Sequence, residues 1–221
     1  MKYYAIIVGG GSGKRMQNAI PKQFLLLKDK PVLMHTILAF ASSSFSPEII
    51  IVLPSALHQY WKDLCIEHNF NAPYLLIDGG DQRFHSVRNG LLAIKDNGIV
   101  AVHDAVRPLA TVSLIDRAYH IAEKEGNAVS CIKPSDSIRR IKSTTESTIL
   151  NREEIVLIQT PQTFQVNQLR SAYQQVYQER FTDDASVVEE AGFKINLIEG
   201  ERNNLKITFP EDLHLASLII N

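Results

Sequence analysis

The chain alternates short, unbroken apolar runs with longer stretches whose apolar residues recur at helical spacing. The runs Tyr3–Val8 (YYAIIV) and Glu48–Leu53 (EIIIVL), with residues 74–77 and 99–103 (IVAVH), are rich in β-branched types and too short for helices, so each predicts a buried strand. Residues 31–42 (PVLMHTILAFAS) begin with a proline suited to a first helical turn. A second helix carries Trp61 and Cys65, with Ser55 placed to cap it, and Val112–Glu125 predicts a third, stopped by Gly126. Beyond it the pattern predicts strands at 128–133, 155–159 and 194–198, and helices at 165–178 and 210–220. Residues 182–186 (TDDAS) read as a helix start with an N-cap and acids in the first turn. Strands and helices alternating at this period imply parallel βαβ units. The expected class is therefore α/β: a Rossmann-like, mostly parallel sheet flanked by helices, with its site on loops at the strands' carboxyl ends.

Residues 135–152 (SDSIRRIKSTTESTILNR) break this pattern. They are polar and β-branched with few apolar positions, and read as two short strands with a turn near 143–146. Such a hairpin is marginal by itself. It is expected to be a protruding β-hairpin arm, exposed or packed on a partner subunit, within a single domain spanning 1–221.

Composition narrows the possibilities. A chain of 221 residues can bury a substantial core, and a net charge of −1 gives no basis for a nucleic-acid-binding surface. Cys65 and Cys131 lie far apart and in no metal-ligand spacing, which suggests free thiols in a reducing compartment. Lys2 precedes an apolar run too short for a signal peptide, and no stretch approaches a membrane span. The expectation is a soluble, cytoplasmic protein with neither nucleic acid nor membrane as a partner.

The densest chemistry follows the first strand. Gly9-Gly10-Gly11-Ser12-Gly13 can turn sharply and present bare N–H groups to an anion, and Lys14, Arg15, Lys22 and Lys28 follow with no carboxylate among them. Strand, glycine loop and uncompensated cations read as a polyphosphate cradle. It is not a Walker loop, since the opening glycine would fall on Val8 and Arg15 follows the lysine. Nor is it a dinucleotide fingerprint, whose last glycine would fall on Lys14. The alternative is a glycine-rich connection with solvated lysines.

Three later segments could face the same rim. Residues 78–87 (DGGDQRFHSV) are either a turn with a helix cap or a nucleobase pocket built from Gly80, Asp81 and Ser86. Asp104, ending a strand, suits Mg²⁺ shared with phosphate oxygens, or a structural ion pair with Arg107. Thr160 and Pro161 mark either a turn or a substrate contact, and Lys206 would by default be surface charge.

The ordered motifs GGxGxRM, PKQ, GGDxRxxSV, HDAxRP, TPQ, TDxAS and NxKxT span residues 8–210. Together they resemble the sugar-nucleotidyltransferase families, most closely the methylerythritol phosphate cytidylyltransferase family of isoprenoid precursor synthesis. The resemblance implies transfer of CMP from CTP to an alditol phosphate with release of pyrophosphate. It places Gly9, Gly10, Gly11, Ser12, Gly13, Gly80, Asp81, Ser86, Asp104 and Ala105 around the nucleotide, with Arg15 and Lys22 as its catalytic cations. Asp104 would hold Mg²⁺, while Arg107, Thr160, Thr182 and Lys206 would face the alditol phosphate. The family forms homodimers in which an arm completes the neighbour's site; Ser137 and Arg152 match those arm positions, Ser137 standing where threonine is more usual. Gly9 replaces a more usual alanine, a difference expected to cost little. Ribitol-5-phosphate cytidylyltransferases share the front motifs, but LNREEIVLIQTPQ favours the methylerythritol branch. A non-catalytic nucleotide-binding module and a purine nucleotidyltransferase are the remaining alternatives; joint retention of Arg15, Lys22, Asp104 and Lys206 opposes the former.

Overall fold

The apolar runs assemble into one seven-stranded sheet, seen in a computed structural model that describes residues 1–11 and 20–220. In chain order the first half comprises β1 (Tyr3–Val8), a small β2–β3 ribbon (Leu26–Leu27, Lys30–Pro31), α1 (Val32–Ala41), β4 (Glu48–Leu53), α2 (His58–Glu67), β5 (Leu75–Asp78), α3 (Arg83–Ala93) and β6 (Ile99–Asp104). The second half comprises α4 (Val112–Glu125), β7 (Asn127–Ile132), the arm strands β8 (Ile138–Ile141) and β9 (Ser147–Leu150), β10 (Leu157–Gln165), α5 (Val166–Ala172), α6 (Asp184–Glu190), β11 (Leu197–Glu199) and α7 (Pro210–Ile219). The sheet order is β11-β7-β10-β6-β1-β4-β5, with β10 antiparallel to both neighbours and the other pairs parallel.

Both faces of the sheet are covered, which is why its strands read as continuous apolar runs. Ala5, Ile7, Ile49, Ile51 and Leu53 point to the face packed by α1, α2 and α4, where Phe40, Trp61 and Tyr119 are fully buried. Tyr4, Ile6, Val8, Ile50 and Val52 point to the other face, against Phe84, Val87 and Leu91 of α3 and Val187 and Val188 of α6. A third cluster, Leu25, Leu27, Val106, Ile207 and Ala216, fastens the C-terminal segment beside the carboxyl end of β6. Strand order reverses around β1: the chain builds outward through β4 and β5, then returns to place β6 on the other side. Val8 and Asp104 are partners in register at that switch point, where α/β sheets form their ligand crevice.

Several sequence expectations are corrected. Ser55 does not cap α2; it opens a short 3-10 turn, Ser55–Leu57, that makes no side-chain cap. The helix expected over 165–178 ends at Ala172, where Gln175 turns back and donates 2.9 Å hydrogen bonds to the carbonyls of Ala172 and Val187. The strand expected from residue 194 begins at Leu197, because the Asn127 side chain takes the Asn196 N–H at 2.8 Å in place of a ladder bond. Pro161 does not break the strand: β10 runs through it, with a register shift between Ile158 and Gln162. The arm forms as expected and stands as its own two-stranded sheet.

Gly90 lets α3 approach the sheet closely, since a Cβ there would lie 2.9 Å from Ile6 Cγ2 and 3.1 Å from Val52 Cγ2. Overpacking a tight core costs about 1–3 kcal/mol, against a helix-propensity gain of about 1 kcal/mol for alanine over glycine. Gly90→Ala should therefore lower unfolding stability by about 1 kcal/mol in denaturant titration; a more stable variant would contradict this packing.

Candidate active site

Two adjoining clefts open at the carboxyl ends of β1 and β6. The first, of about 330 Å³, is bounded by Gly9, Gly10, Gly11 and Lys22 on one side and by Gly80, Asp81 and Ser86 on the other. The second, of about 270 Å³, is lined by Arg107, Thr160, Gln162, Thr182 and Asp183. Arg83, Asp104 and Lys206 belong to both walls.

The glycine side is held from beneath. Gly9 N–H donates to Val52 O at 2.9 Å, and the buried Gln23 amide donates to Gly9 O at 2.9 Å. A Cβ at Gly9 would sit 2.6 Å from Leu53 Cδ2 and 3.2 Å from Ala105 Cβ. Alanine there would require the buried Leu53 to move, so glycine suits this position. Lys22, at the start of a 3-10 turn, reaches the cleft and donates to Ile207 O at 2.9 Å. Ser12, Gly13 and Arg15 lie outside the described residues.

The opposite side is a tight loop between β5 and α3. The Ser86 hydroxyl accepts from Gly80 N–H at 3.1 Å and donates to Gln82 O at 3.2 Å, so it organises the loop. Any side chain at position 80 would run into His85. The residue in the N-cap position of α3 is Gln82, not Asp81, and no side-chain cap forms, so Asp81 faces the cleft without capping the helix.

Asp104 is the hub. Its side chain is only 10 % exposed, with Lys206 Nζ at 3.0 Å, Arg107 Nε at 3.3 Å and Arg83 Nε at 3.8 Å from its oxygens. Burial pushes its carboxyl up, but Lys206, Arg83 and Arg107 more than offset this and hold it well below the usual carboxylate range. The pair with Arg107 foreseen from sequence thus exists inside a larger cluster. Thr160 Oγ1 accepts the Asp104 N–H at 3.1 Å, and the buried His103 ring pairs through Nε2 with Arg107 O at 3.1 Å. Burial lowers the His103 pKa to about 4, so at neutral pH this nitrogen donates from an uncharged ring. Arg107 also donates to Asn204 O at 2.7 Å, fixing the segment that carries Lys206.

Of the other residues singled out from sequence, Ala105 is fully buried under Gly9 and is absent from both cleft walls. Ser137 and Arg152 sit exposed at the arm's base, away from both clefts of their own chain; Arg152 donates to Ser135 O at 3.0 Å and lies 3.6 Å from Glu153. The sequence pointed to no place in the site for Arg83, Asp184 or Gln23. Each lay within a quoted motif (GGDxRxxSV, TDxAS, PKQ), but nothing in local spacing showed that they converge.

Comparison with known proteins matches this arrangement to one family. The family model described as "IspD: 2-C-methyl-D-erythritol 4-phosphate cytidylyltransferase" matches residues 3–221. The 2-C-methyl-D-erythritol 4-phosphate cytidylyltransferase of Bacteroides thetaiotaomicron is 45% identical over 220 residues, covering 100% of both chains. The crystal structure of the Francisella tularensis enzyme is 26% identical with a TM-score of 0.81, covering 100% of each chain. That of the Thermus thermophilus enzyme is 28% identical with a TM-score of 0.78, covering 99% of this chain and 98% of the other. With its motifs in order and matched over nearly its whole length, the chain belongs to the 2-C-methyl-D-erythritol 4-phosphate cytidylyltransferases, nucleotidyltransferases that make 4-diphosphocytidyl-2C-methyl-D-erythritol from CTP.

Proposed function

We propose that the first cleft seats CTP and the second seats 2-C-methyl-D-erythritol 4-phosphate, and that the transfer is a direct in-line displacement across their shared wall. The observation that carries this reading is Asp104 with Lys206, Arg107 and Arg83, a charged cluster common to both clefts. An oxygen of the methylerythritol phosphate attacks the α-phosphorus of CTP. The bond from that phosphorus to the bridging oxygen breaks, and pyrophosphate leaves on the opposite side. Both reactants are anions, so alignment and charge neutralisation supply most of the catalysis. Lys22 and Arg15 neutralise the α-phosphate and the leaving group, while Arg107 and Lys206 hold the attacking phosphate. Gly80, Asp81 and Ser86 flank the cytosine, where backbone groups and one hydroxyl can discriminate pyrimidine from purine by size and hydrogen bonding.

Asp104 suits a divalent ion shared with a triphosphate. It stays ionised and faces both clefts, and a magnesium site of this kind needs only one or two carboxylates when phosphate and water complete it. Among the described residues no cluster of three or more histidine, cysteine or carboxylate side chains offers a ready cage. When bound, Mg²⁺ would neutralise charge on the phosphate oxygens.

The arm supports a homodimer. Ile141 and Ile149 are 79% and 71% exposed, and the pairing of Arg139 with Ile149 and of Ile141 with Ser147 puts both isoleucines on one face. A second copy covering that face would bury it and bring its own Ser137 and Arg152 to the neighbour's alditol phosphate. Two free, buried thiols, Cys65 and Cys131, support a cytoplasmic setting. Among the described residues no helix is long and apolar enough to cross a membrane.

Pyrophosphate release measured with CTP and, separately, methylerythritol phosphate or ribitol 5-phosphate tests the substrate assignment; activity only with the ribitol ester would reverse it. Lys22→Ala should lower kcat by roughly 10²–10³-fold, about 2.7–4 kcal/mol of barrier, with far less change in KM for CTP. Near-normal turnover would remove Lys22 from the mechanism. For the arm, Lys22→Ala and Arg152→Ala subunits should each be nearly inactive, yet regain activity when mixed, because one intact site forms per mixed dimer. Failure of the mixture to recover would argue that Arg152 does not act across subunits.

A further inference from the structure

Beyond the residues placed on substrate above, one buried network ties the base loop to the phosphate end of the site. Arg83 is the first residue of α3, directly after the loop formed by Gly79, Gly80, Asp81 and Gln82. Its Nη2 lies 2.5 Å from Asp184 Oδ2, and its Nε points to Asp104 at 3.8 Å. Asp184, the first residue of α6, is wholly buried, and its other oxygen accepts the Tyr173 hydroxyl at 2.6 Å. Tyr173 stacks on Phe84, the next residue of α3, with ring centroids 4.6 Å apart. Both ends of the tie are therefore clamped: Arg83 cannot swing without breaking a buried ion pair, and Asp184 cannot follow without losing Tyr173.

We propose that Arg83, held by Asp184 and Tyr173, is a positioning residue for the transfer, setting the distance between the cytosine loop and Asp104. This inference rests on the reading that CTP occupies the first cleft with its triphosphate at Asp104. The charge of Arg83 is matched at close range by Asp184, so it is not a spare cation for phosphate. What it adds is geometry: a planar fork whose two nitrogens address carboxylates on two elements, which a lysine cannot reproduce. The guanidinium is always charged, so the tie does not depend on its protonation. A nucleotide spanning base loop and phosphate end has its α-phosphorus placed by the separation of these two anchors. A misplacement of about 1 Å at a reacting centre can cost on the order of 10²-fold in rate.

The test uses the full-length protein and the pyrophosphate-release assay. Arg83→Ala alone would strand a buried carboxylate and could unfold the chain, so Arg83→Gln is combined with Asp184→Asn to leave a neutral amide pair. The double variant should melt cooperatively and keep its preference for CTP over UTP in calorimetric binding, with KM for methylerythritol phosphate within about threefold, while kcat falls on the order of 10²-fold. Arg83→Lys should not rescue kcat. A folded double variant with wild-type kcat, or full rescue by lysine, overturns the proposal. If the double variant fails to fold, Tyr173→Phe decides, since it loses one hydrogen bond and keeps the ring stack; a several-fold loss of kcat at unchanged KM supports the tie, and unchanged kcat refutes it. If the wild type itself releases no pyrophosphate with CTP and methylerythritol phosphate, the reading of the clefts fails and takes this inference with it. An active wild type beside an equally active folded variant sinks the inference alone.

Discussion

A carboxylate nearly removed from water, with three cations drawn to it, is the interaction the rest of the site depends on. Lys206, Arg107 and Arg83 offset the cost of burying an ionised Asp104, and those cations would repel one another without it. The cluster is therefore self-consistent before any substrate arrives. Charge complementary to phosphate is already assembled, so less reorganisation is left for the moment of reaction. The backbone adds its own restraint, since Thr160 holds the Asp104 N–H and His103 grips the Arg107 carbonyl.

The fold supplies these partners from distant parts of the chain. The register of β1 on β6 sets Asp104 beside the end of Val8, and the glycine segment leaves the sheet at that point. Ile207 is the second fastening: its N–H donates to Val106 O at 2.9 Å, its carbonyl receives Lys22 Nζ, and its side chain is fully buried. One apolar residue thus fixes Lys206 against Asp104 and Lys22 against the C-terminal segment. The third hydrophobic cluster consequently shapes the site although it lies outside the two main layers.

Much of this was legible in the chain. Buried parallel strands announce themselves as unbroken runs such as EIIIVL, and the polar segment 135–152 stood out as an arm because it could not bury itself. Gly80, Ser86, Asp104, Arg107 and Lys206 were visible through motifs, and the structure gathers them at one rim. The illegible parts depend on tertiary closure. Local pattern extended α5 past Ala172, whereas a side chain folding back onto α6 ends it. The Arg83–Asp184 pair joins residues 101 positions apart, and no spacing rule reveals such a partner. Ala105, a motif neighbour of Asp104, has its side chain packed beneath Gly9 and outside both cleft walls, a placement no motif reveals.

On the proposed reading, one cation–carboxylate cluster gathers two mutually repelling phosphate esters at the switch point of the sheet. Its most direct test is a crystal structure with CTP and magnesium bound. The triphosphate is expected to run along Gly9, Gly10 and Gly11 to Lys22, with its metal on Asp104 and cytosine against Gly80 and Ser86. A nucleotide seated elsewhere, or one whose triphosphate leaves Asp104 and Lys22 untouched, would contradict it.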